Sequence, residues 1–300
     1  MDQVKRSYLE LHFSVLLFGL TAILGDLIQL SAPVLVWWRV LITSLSFIFI
    51  VNISGMFARV GKRDMLRFMG IGVIVALHWI CFYGSIKLAN ASIAVLCMAT
   101  ASFFTSVIEP FLLRKKFVWL DFAFGLMILP GMVLIVNNTR LDMLPGFWVG
   151  LLAAALAALF ATLNKKYIHT ARPLQISLLE MSSAWLFITL LSPVILSLDS
   201  TGPVMPTGTD WIYLLVLSLL CTTLPYALSV RALQHVTAFA SNMVINLEPV
   251  YGVILAWLIL GDHEDLNESF YLGTAMIIAV VFLYPIFRKR FVKKRTASVI

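Results

Sequence analysis

Long apolar runs, each broken by a few polar or basic residues, set the pattern of this 300-residue chain. A helix that crosses the hydrocarbon layer of a bilayer needs about 20 mostly apolar residues. Ten stretches meet that requirement: 10–30, 33–54, 66–87, 90–113, 118–137, 146–164, 174–198, 210–231, 236–260 and 269–288. Strands of a membrane barrel would instead alternate apolar and polar positions over about ten residues, and these runs do not alternate. The first run follows Lys5 and Arg6, but it is long and no small-residue cleavage pattern follows it, so it reads as a retained helix. The loops between runs are short, and no soluble domain is expected on either face.

Composition agrees with the pattern and narrows the class. The chain is 61% hydrophobic and 12% charged, against about 25% charged in soluble proteins, and its mean hydropathy is +0.96. A water-soluble enzyme, a nucleic-acid-binding module, a disulfide scaffold and a disordered chain are all excluded. Cys81, Cys97 and Cys221 lie inside apolar runs and read as small buried side chains rather than a disulfide or zinc framework. The fold class expected is therefore an all-α integral membrane protein with ten transmembrane helices.

The net charge of +7 informs mainly by its placement. Nineteen of the 22 lysines and arginines fall on one side of a ten-span arrangement; Lys87 and Arg140 fall on the other, and Arg39 lies within a span. The positive-inside bias then puts both termini in the cytoplasm of a cell that carries the protein in its inner or plasma membrane. Asp142, Asp199, Asp210, Asp262, Glu264, Asp265 and Glu268 collect on the opposite face.

The sequence also overlays on itself at an offset of 147. Ile86-Lys87-Leu88-Ala89-Asn90-Ala91 falls on Leu233-Gln234-His235-Val236-Thr237-Ala238, His78-Trp79 on Pro225-Tyr226, and Ser102 on Pro249. Spans 1–5 echo spans 6–10, giving one repeat over 1–144 and a second over 145–300 with a basic cytoplasmic tail. An odd number of spans per repeat forces the second copy to insert upside down. Inverted repeats of this kind are a frequent plan of secondary transporters, whose substrate site lies near the midplane.

Four segments carry a resemblance to a known family: Trp37-Trp38-Arg39 in span 2, Ala232 to Ala238 between spans 8 and 9, Leu247-Glu248-Pro249-Val250-Tyr251, and Leu260-Gly261-Asp262. In these the chain resembles the drug/metabolite transporter superfamily, in its ten-span EamA-type branch. The first half departs from the pattern: Ser102 stands where the repeat would place proline, and a Glu-Pro pair comes later, at Glu109-Pro110. The resemblance implies a 5+5 inverted repeat, alternating access, and export or import of small metabolites. It also implies a central cavity built from spans 1, 3, 4, 6, 8 and 9.

Polar groups at membrane depth need a reason, because a charge at a helix centre costs about 2.5–3.5 kcal/mol or more. Glu248 lies midway along span 9. Asn242 and Asn246 share one face of that span, with Ser241 and Glu248 on the neighbouring stripe. Glu248 reads either as a proton-coupling or amine-binding carboxylate, or as a structural glutamate bonded to a neighbouring helix. In span 3, His78 suits a carboxylate ligand or a titrating switch, and Trp79 and Tyr83 stack at i, i+4 as faces for a flat or cationic substrate. The alternative is a hydrogen-bonded core histidine beside interfacial aromatics. Arg39 and Asp26 lie at matching depths and are expected to form an ion pair or gate, with an anionic-substrate site as the alternative for the pair. Glu180 and Glu109 lie near span ends and are expected to reach the surface or pair with nearby basic residues. Gly150, Ala154, Ala158 and Thr162 recur every four positions and read as a close-packing stripe, with a face on the cavity beside Asn164 as the alternative.

No cofactor or metal is expected. Gly55 to Arg63 fails as a phosphate loop in both glycine spacing and its last residue, and Asp262-His263-Glu264-Asp265 lacks a regular ligand spacing. The sequence thus points to a secondary transporter that is not an enzyme. Its expected partners are a small-molecule substrate, the lipid bilayer and a coupling proton, with no nucleic acid. Amino acids or related compounds, exported, are the first expectation for substrate; nucleosides, sugars or organic cations are the alternative, and a non-transporting structural or receptor-like role is the rival class.

Overall fold

A computed structural model describes residues 2–53, 55–56, 60–136, 143–198, 202–248, 250–251 and 268–297. Pro249 and residues 252–260 of the expected span 9, with the Asp262 to Asp265 run, lie outside the described residues, as do Arg59, Arg140, Asp142 and Asp199. Among the described residues the regular structure is helical: α1 (Gln3–Leu27), α2 (Ala32–Ile50), α3 (Lys62–Leu88), α4 (Ala91–Ala99), α5 (Ala101–Leu113), α6 (Trp119–Val136), α7 (Leu144–Tyr167) and α8 (Pro173–Leu198). A further stretch runs as α9 (Gly208–Leu215), a π-helical segment (Val216–Thr223) and α10 (Leu224–Ala232), followed by α11 (Ala238–Ile245) and α12 (Glu268–Ala297).

Seven of these helical stretches are long and apolar enough to cross a membrane, and shorter apolar segments lie at Trp119–Gly131 and Ala275–Arg288. Large apolar side chains such as Phe49, Phe111, Trp119 and Leu190 point outward. In water such a surface would aggregate; in lipid it is the natural exterior. The protein is a multi-pass membrane protein.

Packing is closest where small residues let helices approach. Gly150 and Ala154, Ala158 and Thr162 of the expected stripe are all buried on α7, and a methyl group at Gly150 would meet Ser85 Oγ at 2.8 Å and Cys97 Sγ at 2.9 Å. At Gly72 of α3 an added methyl would collide with Ser183 Oγ and the Glu180 carbonyl of α8. The Ser183 hydroxyl donates across this contact to the Met69 carbonyl at 3.0 Å. The contact holds α8 against α3 at the depth of Glu180.

The offset of 147 reappears in local structure. Asn90 caps α4, its Oδ1 accepting from Ile93 N at 2.8 Å, and Thr237 caps α11, its Oγ1 accepting from Ala240 N at 3.0 Å. Such caps satisfy backbone N–H groups that a helix start leaves unpaired. The helical run from Ala91 is interrupted at Thr100, and the run from Ala238 at Asn246 and Leu247. The two interrupted segments meet: Asn242 Nδ2 donates to Thr105 Oγ1 at 2.7 Å, and the Asn246 amide meets Ser102 Oγ at 2.9 Å.

Candidate functional site

A cavity of about 90 Å³ lies inside the bundle, lined from α1, α3, α7, α10 and α11, with Arg39 of α2, Met98 of α4 and Glu248 just beyond α11. The apolar wall includes Phe18, Phe82, Met98, Phe160 and Ile245; Arg39, His78, Asn164, Tyr226, Asn242 and Glu248 supply the polar groups. Sites for drug-sized ligands span about 300 Å³ or more, so this conformation has room only for something smaller. Isolated polar groups on an apolar wall fix the orientation of an occupant, because each is aimed from one direction in a medium of low dielectric.

Arg39 is the best-defined of them. It is 2% exposed. Its Nε donates to Thr222 Oγ1 at 2.8 Å and its Nη1 to the Tyr83 hydroxyl at 2.6 Å. The guanidinium lies over the Trp79 ring, 4.1 Å from its centroid, a favourable position for a desolvated cation. All three partners are neutral, and no acidic side chain is in ion-pair contact with it among the described residues. A guanidinium has five N–H donors in a fixed fork, and Nη2 has no described partner.

Both hydroxyl partners are positioned by local chain geometry. Thr222 sits in the π-helical segment, where its hydroxyl donates to the Leu217 carbonyl at 2.6 Å and that of Thr223 to the Ser218 carbonyl at 3.0 Å, each five residues back. Pro225 then lacks the N–H that would continue the regular ladder. Such segments are uncommon in helices and recur at functional sites. Tyr83 packs against Gly25 of α1, where a side chain would collide with its ring.

His78 is buried and its Nδ1 lies 2.8 Å from the Ala153 carbonyl of α7. A carbonyl only accepts, so Nδ1 carries the proton and Nε2 is left free on a ring packed against Phe82 and Phe160. Trp79 lines the cavity, whereas Tyr83 lies behind it and acts on it through Arg39. Asn242 and Glu248 line the cavity as well. Asn246 does not: it spans the helix interruption, and with its amide turned over it donates to Ala99 O at 3.0 Å and Asn242 O at 3.2 Å while accepting from Ser102 Oγ. The structure thus brings His78, Trp79, Asn242, Glu248 and Arg39 onto one cavity, and puts Tyr83 and Asn246 in its supporting layer.

The sequence matches the EamA-like transporter family twice, over residues 7–137 and over 144–285. The chain belongs to the EamA-like transporter family. Twenty-nine chains of solved structures match it. One, described only as a crystal structure of a protein, superposes with a TM-score of 0.73 at 14% identity, covering 96% of this chain and 99% of its own. At that identity the likeness concerns the fold. No curated protein gives a match.

For this family member, two sequence expectations need correction. Asp26 and Arg39 do not form an ion pair: Asp26 is exposed at the end of α1, while Arg39 turns into the bundle toward Tyr83 and Thr222. Equal depth does not fix the direction in which a side chain leaves its helix. Glu180 does not reach the surface or pair with a basic residue. It is fully buried, with Tyr226 Oη donating to its Oε2 at 2.5 Å and Asn164 Nδ2 at 3.4 Å. Glu109 follows expectation more closely, with Lys115 Nζ at 3.7 Å; its Oε2 also accepts from Phe239 N at 2.8 Å, at the start of α11. Asn164, named in the sequence only as the neighbour of the small-residue stripe, lines the cavity, and so does Tyr226, for which the overlay on Trp79 was the available signal.

Proposed function

We infer that this transporter carries small zwitterionic metabolites, amino acids or close relatives, by alternating access around the cavity, with export as its direction. The observation that carries the reading is Arg39: a buried guanidinium with no carboxylate in ion-pair contact among the described residues, facing the same cavity as Glu248. A substrate carboxylate matches the unfilled fork of Arg39, a substrate ammonium matches Glu248, and the phenylalanines of the wall suit an apolar side chain. The paired caps and interruptions at an offset of 147 support a ten-helix chain built as two inverted five-helix repeats, 1–144 and 145–300. The basic residues on one side support an inner or plasma membrane location with both termini in the cytoplasm.

The test is counterflow in proteoliposomes preloaded with a mixed amino-acid pool, with labelled amino acids supplied singly outside. Accumulation of a labelled amino acid is expected. Its absence for every amino acid, in protein shown to be folded, overturns the substrate assignment and puts nucleosides, sugars and organic cations in its place.

A further inference from the structure

Four acidic groups elsewhere in the bundle are compensated, while Arg39 and Glu248 face the same cavity without ion-pair contact among the described residues. Glu10 pairs with Arg6 and Arg231, Asp121 with Arg288, Glu109 with Lys115 and a helix N-terminus, and Asp210 accepts from Gln29 N and Thr207. Glu180 breaks this pattern. Among the described residues it is the carboxyl with a wholly buried oxygen, Oε1, that has no hydrogen-bond partner, and Asn164 Oδ1 beside it is a second unpartnered acceptor. A buried carboxylate short of donors is costly unless it is paired or neutralised. A proton on the carboxyl replaces an acceptor with a donor, and is the simplest change that relieves the mismatch.

Among the described residues no cation is in ion-pair contact with Glu180. On α3, His78 bonds to the Ala153 carbonyl and Arg67 to Asp64. On α2, Arg39 is held by Tyr83 and Thr222. On α7, Lys165 donates to the Leu233 carbonyl at 2.6 Å and Lys166 lies against the Tyr167 ring. On α10, Arg231 is engaged by Glu10, and Tyr226 faces the carboxyl with a neutral hydroxyl.

We propose that Glu180 is the proton-binding site of this transporter, holding a proton inside the bundle and exchanging it with the cavity through Tyr226 and Asn164. Both of those residues line the cavity while Glu180 does not, so they link the carboxyl to the cavity. For release, the Tyr226 hydroxyl, which donates to Glu180 Oε2 in this structure, turns to a cavity water; the Glu180 Oε2–H bond then breaks as the Tyr226 oxygen takes that proton, and the hydroxyl proton of Tyr226 passes to the water. The Gly72 contact fixes the backbone of Glu180 and keeps the site at one depth. The proposal rests on the transport reading above and names its coupling ion.

Infrared spectroscopy of the full chain in nanodiscs tests the site without a substrate. The parent-minus-Glu180→Gln difference spectrum at neutral pH contains the C=O band of a protonated carboxylic acid, and Tyr226→Phe slows the deuterium exchange of that band several-fold. A difference spectrum showing an ionised carboxylate overturns the proposal, as does exchange unchanged in Tyr226→Phe. The transport arm uses empty proteoliposomes with the labelled amino acid identified by counterflow supplied outside. An imposed pH gradient drives accumulation in the parent. Glu180→Gln loses gradient-driven accumulation, falling to the level seen without a gradient, and keeps its counterflow. Gradient-driven accumulation equal to the parent's in Glu180→Gln, or loss of counterflow together with it in folded protein, also overturns the proposal. If the parent accumulates no amino acid, the substrate assignment fails and the infrared result alone decides the proton site.

Discussion

Arg39 and Glu180 are both buried ionisable side chains that meet a tyrosine hydroxyl, Tyr83 in one case and Tyr226 in the other. Around Arg39 the protein supplies two hydroxyl acceptors and an aromatic face, so the cation is stabilised by neutral groups and keeps donors to spare. Around Glu180 it supplies donors to one oxygen and leaves the other bare. Arg39 reaches the cavity wall itself, while Glu180 communicates with the cavity through other side chains. On the proposed roles, a charge kept ready for a ligand and a carboxyl kept ready for a proton differ in which partners are missing. Burial alone would rank them together.

The largest effect that sharpens this comparison is expected from Arg39→Leu. Charge-assisted hydrogen bonds contribute about 1.5–3 kcal/mol each, so counterflow should fall by about 100-fold in folded protein. Arg39→Lys should rescue little, because an ammonium lacks the planar fork and packs differently on Trp79. Retention of parental rates by Arg39→Lys would mean that point charge alone matters there.

Next in size is Gly72→Ala, which affects stability and reaches the Glu180 side. Forcing a methyl group against Ser183 and the Glu180 backbone should destabilise the protein by about 1–3 kcal/mol, read as a lower melting temperature in detergent. An unchanged melting temperature would show that α3 and α8 separate easily, and the fixed depth of Glu180 would lose its basis. Tyr83→Phe removes one acceptor from Arg39 and should weaken apparent substrate affinity by about tenfold, consistent with about 1–1.5 kcal/mol for such a bond. The smallest effect is expected at Asp26→Asn, within about 0.5 kcal/mol in stability and without change in transport. A large transport defect there would restore Asp26 as a gate.

The parts of the fold legible in the sequence are those that depend on local chemistry. Hydropathy locates the membrane helices because lipid demands continuous apolar length. The overlay at 147 anticipates the caps at Asn90 and Thr237, since both lie in the matched hexapeptides. His78, Trp79, Asn242 and Glu248 reach the cavity from spans whose polar faces show in the spacing. What stays hidden depends on how helices meet. Glu180 lies two turns into its helix near basic residues, a position that suggests escape to the surface, and the close approach at Gly72 with Tyr226 and Asn164 encloses it. Asp26 and Arg39 share a depth but not a direction. The π-helical segment that brings Thr222 to Arg39 arises from backward hydroxyl bonds followed by Pro225, a combination without a hydropathy signature.

The central claim is that Arg39 receives a substrate carboxylate. It is tested most directly by competition in counterflow, using an amino acid and its carboxamide, which differ only in the charged group Arg39 would bind. In the parent the free acid should displace the labelled substrate far better than the amide, and in Arg39→Leu that preference should vanish. Equal competition by acid and amide in the parent would contradict the account.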